Sequence, residues 1–233
     1  MPDRDSQMKI FQKIRRQLLA ESRFKNYLPY ALGEILLVVI GILIALQVNN
    51  WNESRKRDLT EAEFIAGIKS DLQQDKEYIA GVVKRAEVKK EVFALLQKEL
   101  YNYYKTNRPA LDSLLAIFFE PQHTFYPVMG SFQSAISGNE LGQFKNKRFS
   151  KAVTTLYNST YARLTDNAKG TDDRWYYLVK KYSHVRRTGH LPDMDQTRLD
   201  EFLDDLSYHM YGLSYYQTLL DKTVLEIDGV LSQ

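Results

Sequence analysis

Residues 31–48 read ALGEILLVVIGILIALQV, and this stretch decides the architecture of the chain more than any other. The twelve residues after Glu34 are all apolar or glycine, and only Glu34 and Gln47 interrupt the flanks. As a helix, eighteen residues rise roughly 27 Å, which nearly matches the hydrocarbon core of a bilayer. The sequence therefore predicts a single transmembrane helix over residues 30–50.

One face of this predicted helix combines a carboxylate with small side chains. Its members recur at three- and four-residue spacing and are Glu34, Val38, Gly41, Ala45 and Val48. Small residues let membrane helices approach closely, so we expect a homo-oligomer that packs through Gly41 and Ala45. An ionisable residue inside a span is a candidate for function. Glu34 and the polar Gln47 could therefore line a pore, or Glu34 could simply reach the lipid headgroups.

The Lys and Arg residues near the span predict its orientation, because positive residues favour the cytoplasmic side. The N-terminal flank carries Lys9, Lys13, Arg15, Arg16, Arg23 and Lys25. The C-terminal flank carries Arg55, Lys56, Arg57 and Lys69. This excess favours a cytoplasmic N-terminus and an external C-terminal domain. Residues 45–49 lack the small-x-small cleavage pattern, which favours an uncleaved anchor over a signal peptide.

Residues 1–29 are predicted to form a basic segment before the span. Apolar side chains within residues 7–20 fall at helical spacing, and the basic residues largely off that stripe include Lys13, Arg15 and Arg16. The segment is either an amphipathic helix in the headgroup plane or a flank that only enforces topology. Aromatic residues bracket the span as interfacial anchors, namely Tyr27, Tyr30 and Trp51. Pro29 is expected to separate the two segments.

Residues 51–233 show helical periodicity and no sustained two-residue alternation, which predicts an all-α domain, most simply an elongated helical bundle. Helices are expected from Trp51 to the Asn107–Pro109 break, over 110–119, over 127–137, from Phe149 to the Gly189–Pro192 turn, and over 199–231. Thr60 and Glu63 could form a capping box, or the membrane helix could continue without a break. Gly170 could bend the helix that begins near Phe149.

Composition excludes several classes of site. The part of the chain after the span carries equal numbers of basic and acidic residues, which disfavours a nucleic-acid partner. There is no cysteine, so disulfides and thiol chemistry are excluded. The four histidines form no metal-binding motif, and we expect no metal or cofactor. Sixteen tyrosines stand out, and they are expected mainly to fill seams between helices rather than to line a pocket or interface.

Two groups of residues resemble a known bacterial family. One is the block YALGEI at residues 30–35 together with LQVNNWNE at residues 46–53, and the other begins with FYP at residues 125–127. The second continues with Ser131-Phe132, Ser137-Gly138 and Leu156-Tyr157. The chain is similar to a family that is catalogued as a domain of unknown function and found in Bacteroidota. This resemblance implies a single-pass membrane protein with a helical domain, and it assigns no catalytic residue. With the predicted orientation, we expect a bacterial inner-membrane protein whose helical domain is periplasmic.

We therefore expect a non-enzymatic, membrane-anchored helical module that works through interactions, as a sensor or scaffold. Its expected partners are the lipid bilayer, other copies of itself and an unidentified protein. The alternative function is a homo-oligomeric channel whose transmembrane helices line the pore. An enzyme with unrecognised chemistry is the rival class.

The predicted orientation can be tested with reporters fused after Gln233. An alkaline-phosphatase reporter, which is active only outside the cytoplasm, should be active there because the basic flank retains the N-terminus inside. Activity of a cytoplasm-only reporter at the same position would show the reverse orientation.

Overall fold

The computed structural model describes residues 23–233, with side chains from Leu28 onward, and this part of the chain is helical without any strand. The helices are α1 (Arg23–Thr106), α2 (Arg108–Phe118), α3 (Gly130–Ser137), α4 (Lys147–Thr155), α5 (Ala162–Lys181), α6 (Ser183–Thr188) and α7 (Gln196–Leu231). A π-helical turn, Leu156–Tyr161, joins α4 to α5. The all-α prediction is confirmed. The chain divides into two compact units, Met1–Leu59 and Thr60–Gln233.

Helix α1 continues past both positions at which the sequence suggested a helix boundary, Pro29 and Thr60. Pro29 lies inside it, so the predicted separation at this residue is wrong. Proline removes one backbone donor, and the helix continues on both sides of that single lost bond. Thr60 is also internal to α1, so the capping-box prediction is wrong and the continuous helix is the one that forms. The stretch from Ala45 to Glu61 contains no glycine or proline that would end it.

The predicted end of this helix near Asn107 is confirmed. Helix α1 stops at Thr106, and the Asn107 side chain accepts a hydrogen bond from the Ala110 N–H at 3.2 Å, which caps α2. Pro109 occupies the first turn of α2, where its missing N–H costs nothing.

Two later boundaries differ from the sequence prediction. Helix α3 begins at Gly130 rather than at residue 127. Gly170 lies inside α5, and the long helix that the sequence predicts is interrupted at two other places, at the π-helical turn and at Tyr182, between α5 and α6. Gly189 ends α6 with φ of 74°, a left-handed conformation that glycine adopts without steric cost.

The domain Thr60–Gln233 contains two hydrophobic clusters, and α1, α5 and α7 contribute to both. The first cluster takes Phe64–Val82 of α1 and Tyr216–Val230 of α7, and the second takes Ala86–Leu100 of α1. On α5 the change from the first cluster to the second falls between Ala168 and Trp175. The apolar core of the domain is therefore divided into two parts, and all three long helices cross the boundary between them.

The connecting segment, Phe119–Met129, has no regular secondary structure and is fixed by buried side chains. Asp75, which is 0% exposed, accepts hydrogen bonds from the Val128 N–H at 2.8 Å and from the Tyr161 hydroxyl at 2.7 Å. Asp71 accepts one from the Ser131 N–H at 3.0 Å. These bonds satisfy backbone N–H groups just before and inside the first turn of α3, which would otherwise lack acceptors.

Tyrosines bond the same segment from three other positions. Tyr157 donates to the Val128 carbonyl at 3.1 Å, and Tyr78 donates to the Thr124 carbonyl at 3.1 Å. The Tyr216 hydroxyl accepts from the Phe125 N–H at 2.9 Å. The irregular link that the sequence predicts is thus confirmed, and tyrosines from α1, α7 and the π-helical turn satisfy its backbone groups.

Replacing Tyr161 by Phe should destabilise the domain. The change removes a hydroxyl donor from the fully buried Asp75 carboxylate, and an unsatisfied buried acceptor costs about 1–3 kcal/mol. The free energy of unfolding of the full chain in detergent, measured by chemical denaturation, should fall by that amount. Tyr176→Phe is the matched control, because Tyr176 is exposed and a surface change should stay within about 0.5 kcal/mol. Equal losses in the two variants would contradict the assigned role of Tyr161.

Candidate binding site

Lys89 is buried against the second hydrophobic cluster, about one helical turn after Ala86, the first member of that cluster on α1. It is 4% exposed, and its Nζ donates to the carbonyls of Phe118 at 2.8 Å and Glu120 at 2.7 Å. Both carbonyls lie at the C-terminal end of α2, where a cation also complements the helix dipole. The Nζ lies 3.7 Å from the centre of the Trp175 ring. Burial lowers the pKa of Lys89 to about 7, and nearby Glu120 opposes this change.

His209 lies beside Lys89 with no protein partner for either ring nitrogen. It is 1% exposed, and its ring packs 5.2 Å from Trp175 and 6.2 Å from Phe118, centre to centre. Burial lowers the pKa of His209 to about 3, and the positive charges of Lys89 and Arg174 act in the same direction. The imidazole is therefore neutral at ordinary pH, with one unpaired donor and one unpaired acceptor.

Thr171 connects two further residues whose hydrogen-bonding capacity is incompletely used. Arg174 Nη2 donates to the Thr171 hydroxyl at 3.3 Å, while Arg174 Nε is buried without an acceptor. Gln122 donates to the Thr171 carbonyl at 3.5 Å, while its buried Oε1 has no donor. In the described part of the chain, the buried side-chain polar atoms without protein partners all belong to Gln122, Arg174 and His209. Such atoms are rare in folded proteins, so the region around these three residues is a candidate functional centre.

An open cleft of about 330 Å³ lies beside Arg174, between α5 and α7. It is lined by Asn167, Arg174, Tyr208, Tyr211, Gly212 and Tyr215. The three tyrosines recur at three- and four-residue spacing, which places them on one face of α7. All three are exposed, and Arg163 donates to the Tyr215 hydroxyl at 3.3 Å. We call this feature the tyrosine cleft.

Gly212 permits the close approach that positions Arg174 in the tyrosine cleft. A Cβ added at Gly212 would lie 2.2 Å from Arg174 Nε, well inside van der Waals contact. Glycine here allows the guanidinium to lie directly against the backbone of α7. Any larger residue would displace the arginine.

A second pocket, of about 480 Å³, has the opposite charge. Its lining includes the carboxyl groups of Glu63, Asp71 and Glu140 and the hydroxyls of Ser131 and Ser134. Asp71 is already engaged with the backbone of α3. Over the residues described, no group of three His, Asp or Glu side chains has a geometry that could hold a metal ion.

The predicted membrane residues lie on an exposed apolar stretch of α1. Glu34, Gly41, Ala45 and Gln47 are all exposed, and no atom of the described residues lies within 4 Å of a Cβ added at Gly41. The interfacial candidates Tyr30 and Trp51 are exposed too. Lys13, Arg15 and Arg16, together with the side chain of Tyr27, lie outside the described residues. In the described chain, one helix is long and apolar enough to cross a membrane.

The sequence did not reveal Lys89, Arg174 or His209 as members of one cluster. They come from three helices and share no local motif. The tyrosines divide in a way that the sequence left open. Four members of the group in the second half of the chain, Tyr157, Tyr161, Tyr182 and Tyr216, are buried, whereas those of the tyrosine cleft are exposed. The glycine at position 212 inside an otherwise strong helix was the one local signal of a close approach.

A comparison with protein families shows to which family the chain belongs. Residues 34–185, more than half of its length, match the Family of unknown function (DUF6090). The chain belongs to this family. The prediction of a family of unknown function is thereby confirmed, and the DUF6090 match covers Lys89 and Arg174 but ends before the tyrosines of α7. No curated protein and no solved structure matches the chain.

Lys89 should make the stability of this DUF6090 protein pH-dependent. Between pH 7 and pH 10.5 the unfolded chain binds the lysine proton and the folded chain releases it. The free energy of unfolding should therefore rise with pH across this window, by up to about 1.4 kcal/mol per unit from this group. Lys89→Met should flatten the rise, as measured by denaturation at a series of pH values. The exposed neighbour Lys90, changed to Met, should leave the profile as it is in the wild type. An unchanged slope in Lys89→Met would contradict the assignment.

Proposed function

We propose that this protein is a membrane-anchored helical module that acts by binding rather than by catalysis. The observation that carries the proposal is the exposed apolar stretch of α1. A window of eighteen residues there has a mean hydropathy of 2.5, and none of it is buried by the part of the chain that the structure describes. Because each square ångström of apolar surface left in water costs about 25 cal/mol, such a helix requires lipid or other helices around it.

We extend the proposal to orientation and location. The excess of Lys and Arg before the span supports a cytoplasmic N-terminus, with the helical domain in the periplasm of a bacterial inner-membrane protein. The clusters shared by α1, α5 and α7 support the expectation that this domain is a helical bundle.

The tyrosine cleft supports binding as the role of the domain. Its lining offers a guanidinium, an amide and phenol groups. A guanidinium remains protonated throughout the physiological range, and an amide does not titrate there. These groups can hold and orient a molecule, whereas general acid–base catalysis needs a group that exchanges its proton near working pH. Lys89, whose pKa burial lowers to about 7, does not line the cleft, and its amine is bonded to two backbone carbonyls. The proposal also includes an unidentified protein partner, through which the module would act when it binds its ligand.

Association of the spans completes the proposed function. The face with Gly41 and Ala45 is uncovered, so a second copy can approach the helix backbone there. Glu34 belongs to the same face by spacing and is also exposed. If several copies surround an axis, their Glu34 carboxylates would form a ring that favours cations, which is the channel alternative.

Replacing Gly41 by Leu should weaken the proposed assembly. The larger side chain would separate helix backbones that pack closely at this position. The mass of the purified full chain in mild detergent, measured by light scattering with correction for detergent, should move from oligomer toward monomer. Gly33→Leu is the matched control, since Gly33 lies about 80° away around the helix, given about 3.6 residues per turn.

The same experiment separates the alternatives. A monomeric mass for the wild type, both in detergent and after crosslinking in native membranes, would contradict the homo-oligomer and the channel. An oligomer with equal mass in the wild type and Gly41→Leu would contradict packing at Gly41. An oligomer that conducts cations, and loses conductance on Glu34→Gln while keeping its mass, would favour the channel.

A further inference from the structure

We propose that the tyrosine cleft is a binding site for a small organic carboxylate that carries a planar ring, with the carboxylate on Arg174 and the ring against the tyrosines of α7. This inference deepens the binding function proposed above and rests on it. It assigns the site and the chemical class of the ligand.

Arg174 provides the anchor because most of its hydrogen-bonding capacity is unused. A guanidinium has five N–H donors, and the one hydrogen bond that Arg174 makes to a described residue is the donation to Thr171. Close contact with Gly212 restrains the side chain, so little conformational freedom is left to lose on binding. Because Nε is buried beside Gly212, a carboxylate in the cleft would bind the two terminal nitrogens, Nη1 and Nη2, through two parallel hydrogen bonds.

The surroundings of Arg174 favour an anion. Lys89 lies close enough to act together with Arg174 on His209, and both charges lower the pKa of that imidazole. Arg163, which lies on α5 like Arg174, donates to the hydroxyl of Tyr215, one of the residues that line the cleft. None of the residues that line the cleft is acidic. A carboxylate placed here would meet cationic groups and no lining carboxylate.

The tyrosines provide the second half of the site. Tyr208, Tyr211 and Tyr215 lie on one face of α7, and Tyr211 is 80% exposed. Aromatic rings favour offset or edge-to-face contact with another ring, and their few rotatable bonds make ordering inexpensive. Asn167 adds an amide that can hydrogen-bond a ring substituent.

The size of the cleft favours a small molecule over a folded partner. Its volume of about 330 Å³ lies at the lower end of the range for ligand pockets, roughly 300–1,000 Å³. A protein partner would need to cover roughly 800 Å² of this surface to form a stable complex. A concave site with one cation and three rings fits a single ring acid more closely.

The test uses the full-length chain in lipid nanodiscs and saturation-transfer NMR with defined probes. Benzoate should bind saturably. Benzamide lacks the charge and acetate lacks the ring, so each should bind at least tenfold more weakly. Arg174→Gln should weaken benzoate at least tenfold while circular dichroism and the thermal unfolding transition stay close to those of the wild type. Equal binding of benzoate and benzamide, or no saturable benzoate binding, would overturn the proposal.

Two exposed tyrosines give a matched pair that avoids any folding defect. Tyr211→Ala removes a ring from the cleft and should weaken benzoate severalfold, whereas Tyr177→Ala alters an exposed tyrosine outside the lining and should have no effect. If Arg174→Gln does not fold, this pair decides the outcome, and equal affinities in the two variants would overturn the proposal. The oligomer mass is measured on the same samples. Loss of binding with an intact wild-type oligomer would reject the carboxylate site alone, whereas a monomer that binds benzoate would reject the assembly alone.

Discussion

The backbone of the connecting segment, Phe119–Met129, is the constraint on which the interior of the domain depends. This segment passes through buried surroundings without a helix to satisfy its N–H and C=O groups, and such groups cannot remain unpaired at low cost. Side chains from three directions therefore bond it. Asp75 and Tyr78 come from α1, Tyr157 comes from the π-helical turn, and Tyr216 comes from α7. Fixing the segment also fixes how these elements meet.

The same constraint explains why charge is found inside the domain. The carbonyl of Phe118 at the end of α2 and that of Glu120 in the connecting segment each need a donor. Lys89 supplies both hydrogen bonds at the cost of burying an amine. Trp175 compensates part of that cost with the face of its ring. His209 and Arg174 lie around this centre and retain polar atoms without protein partners. These three residues thus form a polar group against the second hydrophobic cluster, and the tyrosine cleft opens beside its arginine.

The apolar stretch of α1 poses a separate requirement. Its side chains are exposed along the whole segment, so no part of the chain described supplies their cover. In the function proposed above, lipid would cover the large aliphatic side chains, while the face with Gly41 and Ala45 would pack against another helix, because small residues gain van der Waals contact only at short range. The proposal thus assigns anchoring and association to the apolar stretch of α1 and ligand binding to the domain Thr60–Gln233.

The sequence by itself determined what depends on neighbours along the chain. It predicted the apolar helix, the all-α class, the end of α1 at Asn107 and the irregular link, because helical periodicity, capping and proline breaks act over a few residues. It placed a break at Pro29, and it left open whether a new helix starts at Thr60 or the membrane helix continues. The helix continues through both residues. Tertiary structure decided the rest. Tyr161 meets Asp75 across 86 residues, and Phe125 meets Tyr216 across 91. Gly212 and Arg174 likewise come together only when α5 packs against α7. Partners that far apart leave no period or motif in one sequence, because their proximity arises from packing of whole helices rather than from local conformational preference.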